Sequence, residues 1–203
     1  MCKIDDPLKL SDLEFKVRTI NNAGYATIVP YKDARVDMNR LDSTYGIGFW
    51  KRDHQLIDRI IFCTVSIWNK ELKEWVSVQD GGSDLSYQQD SGKKEKGRIS
   101  DAFKRSCTNL GIGRDLYDYP KIEVKLFSNE FEKKGNKTFA TYQFKLHEWR
   151  WAREMKGKKV IYLAAKDQNG KVRFKFGAYT SAENLEYYPE KKEEPKPQIQ
   201  KSK

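Results

Sequence analysis

The residues from Gly92 to Arg114 set seven lysines and arginines against two acids. Read at 3.6 residues per turn, the stretch from Lys93 to Leu110 separates into two faces. Ile99, Ala102, Phe103, Ser106, Cys107 and Leu110 fall on one, and Lys94, Arg98, Asp101, Lys104, Arg105 and Thr108 on the other. A cationic excess fixed in place by an apolar opposite face is what tracking a phosphate backbone requires. Arg98 with Asp101, and Asp101 with Arg105, also stand at i,i+3 and i,i+4, where ordinary surface ion pairs form. A plainly solvated helix would share those letters. The shortage of acids, and the glycines at Gly92, Gly97, Gly111 and Gly113 that bound the stretch, favour a nucleic-acid surface.

Other chemistry is thinner. Ile122-Glu-Val-Lys125 sets Glu123 and Lys125 in the ExK spacing that some metal-dependent nucleases use at a scissile phosphate. Alternating charge on a half-buried strand gives the same letters, and no well-spaced upstream Asp accompanies them. No GxxxxGK[ST] occurs, so ATP-driven strand exchange is not expected. Gly46-Ile-Gly48 and Gly111-Ile-Gly113 follow expected helices rather than strands, the wrong context for a dinucleotide fingerprint. Asp80-Gly-Gly-Ser-Asp84 lacks the alternating ligands of a calcium loop and reads as a turn. Cys2, Cys63 and Cys107 have no CxxC spacing and read as reduced thiols. His54 and His147 have no metal-ligand neighbours. Asn136-Lys-Thr138 is a glycosylation sequon in letters only, since no secretion signal precedes it.

The elements that must carry the basic face follow from composition and pattern. A chain of 203 residues with 38% hydrophobic residues supports one ordinary core. Its net charge of +10 attracts polyanions. No run reaches the ~18 apolar residues of a membrane span, and the N-terminus has no signal-peptide core, so a soluble cytosolic chain is expected. Residues 189–203 hold five Lys and three Glu among prolines and read as a disordered charged tail; residues 1–188 form the folding unit.

Leu10 to Arg18 reads as a short helix or turn leading into a strand, followed by a turn at 21–24. Asp33 is an N-cap for a helix over 33–45, with Ala34, Met38, Leu41 and Tyr45 at helical spacing and Gly46 as its stop. Ile60–Trp68 and Trp75–Val78 form a hairpin with Trp68 and Trp75 facing across the loop. Strands are expected near 121–128, 138–146, 159–166 and 171–177, the last two joined by a turn at 167–170. Without βαβ alternation, this is an α+β pattern on an antiparallel sheet. Trp149, Trp151, Tyr179, Tyr187 and Tyr188 read mostly as core or interface, although bases stack on exposed rings.

The run from Gly97 to Tyr117 resembles the signature helix of the Rad-fifty-two superfamily of single-strand annealing proteins, which includes phage-type, Sak-like recombinases. Tyr31 to Gly46 with Phe49-Trp50, and Ile60 to Val78 ending at Asp80-Gly-Gly82, resemble the same family in the same order. The resemblance spans roughly residues 13–120. It implies a curved antiparallel β-sheet packed on the long basic helix, and subunits assembled into a ring or arc. Single-stranded DNA would lie in a shared basic groove with its bases facing outward. Carried over residue by residue, Lys104 and Arg105 match the family's DNA-contacting pair, Arg18 its phosphate-binding arginine, and Lys93 and Lys96 further basic positions; Lys94 and Arg98 share the face. Thr108 stands where some relatives carry an arginine, and a hydroxyl bonds phosphate without releasing a counterion.

The resemblance thus implies a non-enzymatic protein that anneals complementary strands without a cofactor, in recombination or repair. A partner exonuclease or single-strand-binding protein would accompany it, in the cytoplasm of a bacterial host if the gene is carried by a phage. The competing expectations are a metal-dependent nuclease using Glu123 and Lys125, and a protein that coats single strands without pairing them.

Overall fold

The computed structural model describes residues 3–82 and 92–189, including every side chain among them except those of 92–96. The expected charged tail therefore lies almost wholly outside the described residues, as do Ser83 and Asp84 of the expected turn.

A 3-10 turn, Leu10–Asp12, leads into β1 (Leu13–Ile20). The side chain of Asn21 accepts hydrogen bonds from the backbone of Ala23 and Tyr25, closing the hairpin onto β2 (Tyr25–Lys32). Asp33 caps α1 (Ala34–Tyr45) by accepting from the Arg35 backbone at 2.8 Å. Leu41 on that helix is fully buried, with Ala34, Met38 and Tyr45 packed partly against the core, and the helix stops at Gly46, whose φ is +95°.

Next come β3 (Trp50–Ile57), β4 (Ile60–Asn69) and β5 (Glu74–Gly81), a meander in which Trp68 pairs with Trp75 at a ring separation of 5.5 Å. β3 departs from the sequence reading, which held no strand there. Its residues are largely exposed, and Asp58 and Arg59 at its hairpin turn both have positive φ without the glycine or asparagine that normally announces one.

α2 (Gly92–Asn109) lies on β4 and β5. Ala102, Phe103, Ser106 and Cys107 face inward and are fully buried, and the Ser106 hydroxyl donates to the Cys63 carbonyl at 2.6 Å. Ile99, expected on the apolar face, is 39% exposed.

The rest of the chain comprises β6 (Ile122–Lys125), β7 (Phe131–Lys134), β8 (Lys137–Ala140), β9 (Arg150–Lys156), β10 (Lys159–Lys166), β11 (Val172–Gly177) and β12 (Glu186–Tyr188). The expected strand over 138–146 ends at Ala140, and β7, β9 and β12 were not expected. β9 escapes pattern reading because Arg153 and Glu154 are buried beside Trp151, so apolar and polar residues do not alternate.

The fold is α+β, with antiparallel strands predominating and two α-helices among the described residues. The strands pair in four ladders, β1-β2-β6, β3-β4-β5, β7-β8 and β11-β10-β9-β12, rather than in the single sheet expected. One apolar cluster nonetheless runs from Leu8 and Leu13 through Phe103 and Ile122 to Trp149 and Leu163. Phe15 of β1 stacks on Trp151 of β9, with ring centroids 3.6 Å apart. Among the described residues no helix is long and apolar enough to cross a membrane.

Candidate nucleic-acid interface

A groove of about 540 Å³ runs between β2 with Arg18 of β1, one face of α2, and the segment that follows Gly113. Helical periodicity brings Asp101, Lys104, Arg105 and Thr108 to it from α2. Arg18 arrives differently. β1 and β2 keep register from Leu13 to Val17 and resume it at Thr19, which leaves Arg18 as the extra residue of a bulge. Such bulges re-aim a side chain out of the strand's ordinary alternation. The third wall holds Leu116, Tyr117, Tyr119 and Lys121.

The groove therefore unites four of the residues singled out in the sequence: Arg18, Lys104, Arg105 and Thr108. Arg98 lies apart, its guanidinium donating to the Arg59 carbonyl in the β3–β4 turn at 3.2 Å. The backbone of Lys93, Lys94 and Lys96 belongs to the first turns of α2, and their side chains lie outside the described residues.

The groove cations differ in how far they are neutralised. Arg105 pairs with Asp80 at 3.3 Å, and Lys121 with Glu123 at 2.9 Å. Lys32 is buried at the floor, donating to Asp37 at 2.5 Å and to the Ile112 carbonyl at 2.7 Å. Burial pushes the Asp37 carboxyl up to about 6, and the charges of Lys32 and Lys104 pull it back only in part. Gly113, with φ of +74°, leaves room for the Lys32 stem, which a Cβ there would meet at 3.1 Å. Among the described residues Arg18 and Lys104 have no ion pair or hydrogen bond through their charged groups. The Thr108 hydroxyl donates to the Lys104 carbonyl at 2.9 Å, so its proton is spent within the helix while its oxygen remains an acceptor.

Sequence reasoning missed the two exposed aromatic residues of the groove. Tyr31 is 40% exposed and Tyr117 79% exposed, both lining it beside the free cations. Each lies inside a segment that carries the family resemblance, and no periodic signal marked either for exposure. Trp149 and Trp151, by contrast, are buried in the core.

Glu123 and Lys125 sit on β6 with other partners: Glu123 is paired with Lys121, while the Lys125 ammonium donates to the Ala23 carbonyl and stands 4.5 Å from the Tyr25 ring. No group of three or more His, Cys, Asp or Glu side chains suited to a metal ion occurs among the described residues. Cys63 and Cys107 are both buried, and burial raises both thiols, Cys63 to about 11. Neither is a thiolate at neutral pH. Comparison with family models, curated proteins and solved structures finds no match to this chain.

Proposed function

We propose that this protein binds single-stranded DNA in the groove between β1, β2 and α2, and that it anneals complementary strands without an energy cofactor. The observation that carries this reading is the pair Arg18 and Lys104, which line one groove with no ion pair among the described residues, beside exposed Tyr31 and Tyr117. Free cations exchange condensed counterions for phosphates, and each phosphate neutralised on a single strand contributes a salt slope of about −0.7. Rings at the same wall offer stacking worth about 1–3 kcal/mol per base. Arg105 is a secondary contact, since a phosphate must displace Asp80 to use it fully, and Thr108 supplies an acceptor rather than a charge.

The sequence resemblance extends the proposal. Several copies in a ring or arc would join their grooves into one track, with α2, β1 and β2 forming the inner wall. Bases held outward would be free to test a second strand, and base pairing itself would supply the free energy of annealing.

The test is duplex formation from complementary oligonucleotides, followed with wild-type protein and with Lys104→Ala combined with Arg105→Ala. Acceleration by wild type and its loss in the double variant are the expected outcomes. Unchanged annealing in the variant sinks the assignment of the groove, and slowed duplex formation by wild type identifies a coating protein instead.

A further inference from the structure

The face of the β3-β4-β5 ladder remote from α2 carries a second aromatic and cationic constellation. Strand alternation and register put Lys51, Trp68 and Trp75 on that face, together with Phe49 just before β3. Phe49 is 43% exposed and Trp75 39% exposed, whereas Trp149 and Trp151 are buried. The Lys51 ammonium lies 4.4 Å from the Trp75 ring centroid and the Lys70 ammonium 5.4 Å from that of Phe49. Beyond the rings the same face continues as a polar row that includes exposed Asp53 opposite Thr64, and it ends in Ile57, Ile60 and Phe62. Ser66 and Ser77 share a hydrogen bond of 2.8 Å, and Gln79 donates to Thr64 at 2.9 Å.

We infer that this face is a second binding site for single-stranded nucleic acid, in which bases stack on Trp75, Trp68 and Phe49 while Lys51 and Lys70 take phosphates. The inference rests on the reading of the protein as a single-strand binder, but uses no residue of the groove. Each lysine now occupies the π-face that a base would take, and each is exposed on a flexible stem that swings from ring to phosphate. The polar row favours a nucleotide chain over an apolar peptide. A greasy peptide would desolvate the serine, threonine and glutamine side chains, at a cost that base edges and sugars avoid by bonding to them. From Trp75 to Gly81 the strand offers ~20 Å at about 3.3 Å per residue, room for more than one nucleotide. A second site on the other side of the sheet lets one subunit hold one strand in the groove and present another.

The experiment is photo-crosslinking of the full chain to oligothymidylate carrying 5-iodouracil, with adducts located by mass spectrometry. It is run on wild type, on Lys104→Ala/Arg105→Ala, and on Trp75→Ala with Trp75→Phe as the control for folding. Adducts at Phe49, Trp68 or Trp75 that persist in the groove variant are expected, with a loss of affinity for the oligonucleotide of about fivefold or more in Trp75→Ala, measured in the groove-variant background, and most of it restored by Trp75→Phe. Adducts confined to Tyr31 and Tyr117 overturn this site and leave the groove reading standing. Adducts confined to the tryptophan face, with annealing indifferent to the groove variant, leave this site standing and remove the groove. No adducts at either place overturn both. A change in sedimentation on Trp75→Ala without a change in crosslinking marks the face as a protein interface and also overturns the inference.

Discussion

Arg18 and Lys104 line the groove with no ion pair among the described residues, whereas Arg153 of β9 and Arg173 of β11 are buried and tied to carboxylates. Arg173 donates to Glu130 at 2.9 and 2.7 Å and to the Lys125 carbonyl at 3.2 Å, with Asp167 a further 3.4 Å partner. Arg153 bonds Glu186 at 2.6 Å, the Leu8 carbonyl at 2.7 Å and the Tyr119 hydroxyl at 2.5 Å. Both sets add positive charge to the same composition, and they do different things with it. A buried guanidinium whose terminal nitrogens are bonded to carboxylates and carbonyls joins segments distant in sequence and is closed to a ligand. A cation at a groove wall without a bonded carboxylate keeps mainly water and counterions, which a phosphate displaces at little cost. Arg153 also connects the two roles, since Tyr119, which it holds, forms part of the groove wall.

The sharpest way to break the contrast is Arg173→Ala. It strands Glu130 and Asp167 as buried carboxylates, so a stability loss of about 3–5 kcal/mol is expected in urea denaturation. A loss of under 1 kcal/mol would put Arg173 with the surface cations.

Lys32 and Asp37 are the intermediate case, a buried pair on the floor of the groove. Asp37 is raised from the ordinary 3.8 to about 6. Between those pH values the folded chain holds a proton that the unfolded chain has released, so this group's contribution to stability falls as pH rises through the window. The expected effect is on the order of 2 kcal/mol. Asp37→Asn flattens that slope in denaturation curves collected across pH 4 to 6, and an unaltered slope would show that Asp37 does not cause it.

For the free cations, Arg18→Ala with Lys104→Ala is expected to weaken single-strand binding by about tenfold and to reduce the salt slope by about 1.4, while stability stays within about 0.5 kcal/mol of wild type. A large stability loss with an unchanged slope would reverse the comparison. The smallest effect is expected of Thr108→Arg, which adds a charge to the groove and steepens the slope by about 0.7.

How much of this was legible depends on the range of the signal. α1 announced itself through Asp33, the apolar spacing and Gly46, and the β4–β5 hairpin through its β-branched runs and paired tryptophans. The same local logic separated the faces of α2. It misjudged Ile99, because periodicity gives a direction and cannot say whether the neighbouring element reaches that far. It missed β9, whose buried Arg153 and Glu154 bond to Tyr119, Leu8, Glu186 and Thr180, partners far along the chain.

The sequence by itself determined that Lys104, Arg105 and Thr108 would share one side of α2, because a period of 3.6 residues is a property of the helix alone. Only the tertiary structure decided which cations remain available. It set Arg18 in a bulge opposite Lys104, gave Arg105 to Asp80, turned Arg98 toward Arg59 and sank Lys32 onto Asp37. Charge is carried by residue type, but its neutralisation depends on which chain segments meet, and packing across the whole fold sets those meetings.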